Sequence, residues 1–243
     1  AEVPSSVFTA LIEASQIQKK DLTANPERYY WVSQKPWIFR KDFELPEDFI
    51  RAERLELVFD GLDTVATVWC NEKLIAKTDN MFIQQRFDVT DLLRVGRNRV
   101  MVKFDSAEKY CRDLMEKYGP CNPDSVLNRH RVFLRKAQFQ FGWDFSPRLA
   151  GCGIWQGVRL EAVNLNRLAD VHVRTLNCSD DRADIKLEVS LDRPARRKLH
   201  CQCRVSCGGQ RLEHNFTFAR QEKSHAAVLH IKDPKLWWPA GYG

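Results

Sequence analysis

Between Arg135 and Arg148 the sequence holds four aromatics (Phe139, Phe141, Trp143, Phe145), one acid (Asp144) and three bases (Arg135, Lys136, Arg148) in 14 residues. Pro147 stands near the end of this run. Trp143 and Asp144 are adjacent, a flat apolar ring beside a carboxylate. A sugar can use both, because its C–H face packs on an aromatic ring while its hydroxyls donate to a carboxylate. The pair also has a plain structural use, with Trp143 plugging the end of a sandwich and Asp144 capping a turn. Composition leaves both uses open.

Other reactive residue types are less suggestive. Of the eight cysteines, Cys201, Cys203 and Cys207 alternate with polar residues alongside Leu199 and Val205. That is a strand pattern with the cysteines on the apolar face. Neighbours on one strand face are about 6.5–7 Å apart, whereas zinc gathers its sulfurs at about 2.3 Å, usually from a tight turn. The three are read as small hydrophobes, and no metal is expected. Cys111 and Cys121 flank a Tyr118-Gly119-Pro120 turn; whether they pair is open on sequence. The six histidines read as dispersed, with His172, His200, His214 and His230 inside strand patterns. No GxGxxG, P-loop, HExxH, CxxC pair or G-x-S-x-G elbow occurs, so no cofactor is expected. Asn177-Cys178-Ser179 and Asn215-Phe216-Thr217 match the glycosylation pattern, at about the frequency chance supplies.

Charge and length bound the rest. The 243 residues are 44% apolar and 29% charged, an ordinary globular composition. Thirty-eight basic against 32 acidic residues give a net +6. The bases are scattered, without the stripe of charge and aromatics that a nucleic-acid partner would want. No apolar run reaches 18 residues, so no membrane-spanning helix is expected. Cysteines set into strands lean towards a reducing, cytoplasmic compartment. The chain opens without Met and stops at Trp237-Trp238-Pro239-Ala240-Gly241-Tyr242-Gly243, an ending that reads as a fragment boundary.

The elements that would position these residues follow from periodicity. Ser6 caps a short helix carrying Val7, Phe8, Leu11 and Ile12, followed by a polar loop to Tyr30 and an aromatic stretch, Trp31 to Phe39. Period-two alternation marks strands at 55–59, 66–70, 86–89 and 100–104, with a turn at Asn71-Glu72-Lys73. A helix is expected from Ala107 to Tyr118, stopped by Gly119-Pro120. Strand signals resume at Val132-Phe133-Leu134, run through Phe139 and Phe141, and return at 158–162. Five further strands follow, including one with Val171 and Val173 alternating with His172 and Arg174. The expectation is all-β: a first sandwich over residues 1–164 and a second over 165–243. An immunoglobulin-like sandwich has about seven strands, so the second reads as lacking one or two.

Several of these stretches resemble the N-terminal part of family 2 glycoside hydrolases, and β-mannosidases within that family. They include Val3-Pro4-Ser5-Ser6-Val7-Phe8, Trp37-Ile38-Phe39-Arg40, Phe59-Asp60-Gly61-Leu62-Asp63, Thr78-Asp79-Asn80-Met81-Phe82 and Arg86-Phe87-Asp88-Val89-Thr90. Leu134-Arg135-Lys136-Ala137-Gln138, Gly142-Trp143-Asp144, Gly153-Ile154-Trp155-Gln156-Gly157 and Leu236-Trp237-Trp238-Pro239 follow in the same order. The resemblance covers essentially the whole chain. The Arg-Lys-Ala-Gln and Gly-Trp-Asp blocks favour the mannosidase branch over the galactosidase and glucuronidase branches. Two departures stand out: Phe145 and Ser146 replace the Trp and Gly that usually follow Gly-Trp-Asp, and the strand that usually precedes the Val-Pro block is missing.

The resemblance implies a galactose-binding-like jelly roll followed by an immunoglobulin-like sandwich. It also implies a (β/α)₈ barrel of the same polypeptide as partner, carrying two catalytic glutamates of a retaining mechanism. No residue of this chain would then be catalytic. Trp143 and Asp144 would reach over the barrel mouth, the carboxylate accepting hydroxyls of a terminal β-mannosyl unit, with Asn80 at the same rim. A free-standing carbohydrate-binding module, another family 2 hydrolase and a scaffold without a sugar contact are the alternatives. The partner expected is thus a β-mannoside or oligosaccharide, held weakly by this chain alone.

Overall fold

The computed structural model describes residues 1–121, 129–207 and 209–242. They form two compact units, Ala1–Val163 and Asn164–Gly243. The fold is all-β, and every strand pairing is antiparallel.

In the first unit the strands are β1 (Trp37–Leu45), β2 (Arg54–Phe59), β3 (Leu62–Asp63), β4 (Ala66–Cys70), β5 (Lys73–Thr78), β6 (Gln85–Asp88), β7 (Gly96–Phe104), β8 (Gly153–Ile154) and β9 (Val158–Val163). One sheet runs β1-β7-β4-β5, a second β6-β2-β9, and β3 pairs with β8. The two larger sheets share a core. Leu55, Leu57 and Phe59 of β2 pack with Val68 and Cys70 of β4 and Val102 and Phe104 of β7, all essentially inaccessible to solvent. The alternation that marks β2 in sequence puts Glu56 and Val58 on the opposite face, yet these too are buried. Glu56 is tolerated because Arg54 and Arg86 pair with it at 3.0 and 2.7 Å. The β4–β5 hairpin turns through Asn71 and Glu72, both left-handed (φ 45° and 70°), the geometry that a two-residue hairpin loop wants.

The helices sit where capping and amphipathicity place them. Ser6 accepts the Thr9 amide at 3.2 Å and starts the helix Val7–Glu13, whose Val7 and Phe8 are buried. Ser106 does the same from Lys109 at 3.1 Å for the helix Ala107–Tyr118. The polar stretch before β1 is not a plain loop but three short helical turns, Asp21–Ala24, Pro26–Tyr29 and Tyr30–Gln34.

The strands expected at 132–134 and 139–141 are absent. Arg129–Phe133 and Gln138–Phe141 are 3₁₀ turns. A strand would put Phe139 and Phe141 on one face, whereas a three-residue period puts them on different sides. Phe141 is fully buried and Phe139 is 66% exposed. Cys111, which is buried, and Cys121, which is exposed, are both free thiols.

The second unit holds β10 (Leu168–Cys178), β11 (Arg182–Leu191), β12 (Leu199–Cys207), β13 (Gln210–Phe218) and β14 (Ser224–Lys232). Its sheets are β10-β11-β14 and β12-β13. The core is Ile185, Leu187, Val189 and Leu191 with Phe218 and Leu229, flanked by Leu199, Cys201, Cys203 and Val205. Cys201 and Cys203 therefore take the apolar face that their alternation implies. β10 is a strand, but its apolar and polar residues are alike exposed, because the core is drawn from β11 to β14 and takes nothing from β10. Two histidines that read as dispersed come together: His214 on β13 and His225 on β14 bring their Nε2 atoms to 3.3 Å, and the His225 ring stacks on Phe216 at 4.2 Å. Eleven residues separate them in the chain, and the two strands bring them side by side.

Candidate functional site

The Trp143–Asp144 turn is best built from its base. Asp63 lies on β3, opposite Gly153 of β8. The Lys136 ammonium donates to both Asp63 oxygens at 2.6 Å and to the Gly151 carbonyl at 2.8 Å, so all three of its donors are used. Thr64 donates its hydroxyl to the same carboxylate. Lys136 is 2% exposed and Asp63 5%. Taking two charges out of water is tolerable only with such complete partnering. Burial pushes the Lys136 pKa down, and the Asp63 charge opposes that shift.

From this base the chain makes an excursion and returns. Phe141 anchors it in a small core with Ala107, Cys111, Leu134 and Ala150. His130 meets the Phe141 ring edge-on at 5.9 Å and hydrogen-bonds Glu108 at 2.7 Å. Burial raises the Cys111 and Cys152 thiols to about 12, so both stay protonated and unreactive at neutral pH. Gly142 follows at φ 100°, a conformation side chains rarely adopt.

The turn itself is Trp143 to Ser146. The Ser146 amide donates to the Trp143 carbonyl at 2.5 Å, and the Trp143 amide returns a bond to Ser146 at 3.4 Å. Asp144 takes the left-handed position, φ 35°, which Asp tolerates better than most residues. Ser146 is not left-handed, so no glycine conformation is required there. Trp143 is 53% exposed, so it does not plug the sandwich. The Arg131 guanidinium lies 5.9 Å from its ring centre. Phe145 is fully exposed. Asp144 is exposed and, among the described residues, its carboxylate makes no hydrogen bond or ion pair. It therefore does not cap the turn, and its oxygens are open to an outside donor.

Asn80 reaches the same segment by another route. It bridges Arg135 backbone to backbone, and Met81 donates to the Arg135 carbonyl at 3.0 Å. The Ala137 amide meets the Met81 sulfur at 3.1 Å. Trp155 donates to the Met81 carbonyl at 3.0 Å, its indole lying so close over Gly61 that a Cβ there would fall 2.3 Å from Nε1. The Asn80 side chain accepts the Phe82 amide at 2.9 Å, an internal use. Among the described residues no hydrogen bond joins Asn80 to Trp143 or Asp144. A cleft of about 670 Å³ lined by Thr67, Lys77, Asp79, Asp105 and Tyr110 includes none of the three. Trp143 and Asp144 thus stand together on an exposed turn outside that cleft. Among the described residues no group of three or more His, Cys, Asp or Glu is placed to hold a metal ion.

Residues 1–156 match the family model described as the glycosyl hydrolase 2 galactose-binding domain-like family, and the chain belongs to that family. Within it the chain is similar to β-mannosidases: 29% identical over its whole length to the mouse (Mus musculus) enzyme and 32% identical over 99% of its length to β-mannosidase B of Aspergillus clavatus. The chain spans 29% of the length of each of these relatives. The crystal structure of a β-D-mannosidase from Dictyoglomus thermophilum superposes over the whole chain with a TM-score of 0.88 at 35% identity, covering 30% of that protein. An exo-chitosanase from Amycolatopsis orientalis shares the fold, with a TM-score of 0.66 at 19% identity.

The Lys136–Asp63–Gly151 base and the Trp155 lock on Met81 and Gly61 escape sequence reading. Nothing local marks Lys136 as buried, since its partner Asp63 is 73 residues away.

Proposed function

We propose that this chain is the non-catalytic part of a β-mannosidase-like retaining glycoside hydrolase that removes terminal β-mannosyl residues, and that it supplies one wall of the substrate pocket. Trp143 offers its ring to the sugar's C–H face, and the Asp144 carboxylate accepts hydroxyl hydrogens of the terminal mannosyl unit. Asn80 shapes the neighbouring rim. The acid/base and nucleophile carboxylates belong to a barrel of the longer polypeptide, outside this chain. The observation that carries this reading is the exposed Asp144 carboxylate, without a partner among the described residues, beside an exposed indole, on a turn whose base is buried and hydrogen-bonded.

A wall without its opposite side encloses little of a sugar, and good ligand sites bury most of theirs. Calorimetric titration of the chain with mannose is therefore expected to give a dissociation constant weaker than about 1 mM, roughly 4 kcal/mol of binding or less. Micromolar binding would contradict the wall and support a free-standing carbohydrate-binding module.

A further inference from the structure

We propose that Lys136 is a positioning residue for the Trp143–Asp144 turn. Its buried ammonium sets where the Asp144 carboxylate stands, an inference that rests on the sugar-contact reading above.

The argument is topological. Lys136 opens the excursion and Gly151 closes it. One ammonium grips the closing carbonyl while its own backbone sits at the opening, so it ties the two ends together. It fastens both to Asp63, held in the β3–β8 ladder two residues from Gly151. Beyond this base the excursion has little to hold it. Between residues 138 and 148 Phe141 is the one buried side chain, and Trp143, Asp144, Phe145 and Ser146 are all exposed. Internal amide bonds shape the loop: Gln140 to Ala137 at 3.1 Å, Gly142 to Phe139 at 3.0 Å, and Ser146 to Trp143. None of these fixes its direction relative to the sandwich. Two points in the base set that direction, Phe141 and the lysine, and to them are added the Met81 bonds to Arg135 and Ala137, the Gln138 side-chain amide on the Arg131 carbonyl and Arg131 at the Trp143 ring. A compact ammonium with three donors suits the second, since it satisfies two carboxylate oxygens and a carbonyl at once.

Stability and position separate in a pair of variants. Lys136→Met strands a buried carboxylate and is expected to lower the melting temperature sharply. Adding Asp63→Leu removes the stranded charge and is expected to recover most of that loss, because a buried ion pair can be replaced by apolar residues with little cost. Position is not recovered, since Gly151 still lacks its donor. In the longer enzyme the double variant is expected to keep kcat/KM for an aryl β-mannoside about 10- to 100-fold down, the size of effect an ångström-scale misplacement produces. In this chain, amide exchange at Gln140, Gly142 and Ser146 is expected to speed up at least about tenfold in the double variant.

A double variant that regains melting temperature, exchange protection and kcat/KM together would overturn the proposal and leave the pair a purely structural one. If neither variant folds, native-state exchange of the unaltered chain in rising denaturant decides. The amides at the clamped base, Lys136 and Gly151, which donate to the Leu134 and Leu149 carbonyls at 2.9 and 2.7 Å, are expected to open only with the whole first unit, and their opening at lower denaturant would refute the clamp. Failure of the sugar reading looks different: Asp144→Ala would leave kcat/KM unchanged while the exchange results stand.

Discussion

At the residue scale, two kinds of side chain behave differently under sequence reading. Trp143 and Asp144 are visible as candidates because a flat ring and a carboxylate stand in adjacent positions. Lys136 is not visible, because its meaning comes from Asp63 and Gly151, which only the fold brings near. The same holds for His214 and His225, each unremarkable on its strand and informative only as a pair. That pair gives a pH prediction. Burial first, and the charge on His214 second, hold His225 below the usual histidine pKa. The unfolded chain, with an ordinary value near about 6.5, then takes up the proton first. This contribution to stability is complete above about pH 6.5 and is lost as pH falls from there through the depressed folded value. The melting temperature of the second unit is expected to drop between pH 7.5 and pH 5, with a shallower slope in His225→Phe. Equal slopes in the two proteins would refute the assignment.

At the scale of elements, alternation locates strands wherever one face meets a core. β4, β11 and β12 read cleanly for that reason, and the helix 107–118 is legible with its Gly119 stop, while its Ser106 cap emerges only in the structure. The method misleads where a period-two pattern arises without a sheet. Phe139 and Phe141 are spaced like strand neighbours, yet they serve a 3₁₀ turn in which one anchors and the other faces solvent. β10 shows the opposite limit, a strand whose alternation meets no core. The element that matters most for the site is the short link at Gly142. Two obstacles meet any side chain there: its φ of 100°, and the 2.7 Å contact a Cβ would make with Arg148 Cγ, an atom close to the Arg148 backbone. With φ 100° and ψ 147°, a region essentially only glycine adopts, Gly142→Ala is therefore expected to destabilise the first unit by about 1–3 kcal/mol, measured as a fall in the urea midpoint at constant slope. The backbone part of the loss should persist when Arg148 is also truncated to alanine; complete relief by that truncation would show that crowding, not backbone strain, is the cause.

At the scale of the whole molecule, the fold and family are shared with much longer β-mannosidases, of which the chain matches 29%. Under the proposed function, a sugar-facing wall and a catalytic pair are separable parts of one longer protein. The chain by itself is expected to hydrolyse no aryl β-mannoside above the rate of buffer, and turnover that co-purifies with the folded chain would contradict that division. The central claim is that Asp144 contacts the mannosyl unit. A hydrogen bond to a charged group contributes about 1.5–3 kcal/mol, roughly 10- to 150-fold in rate. Its most direct test is kcat/KM of Asp144→Ala in the longer enzyme, with circular dichroism confirming the fold. A fall of at least about tenfold is expected for an aryl β-mannoside. An unchanged value in a folded variant would contradict that claim.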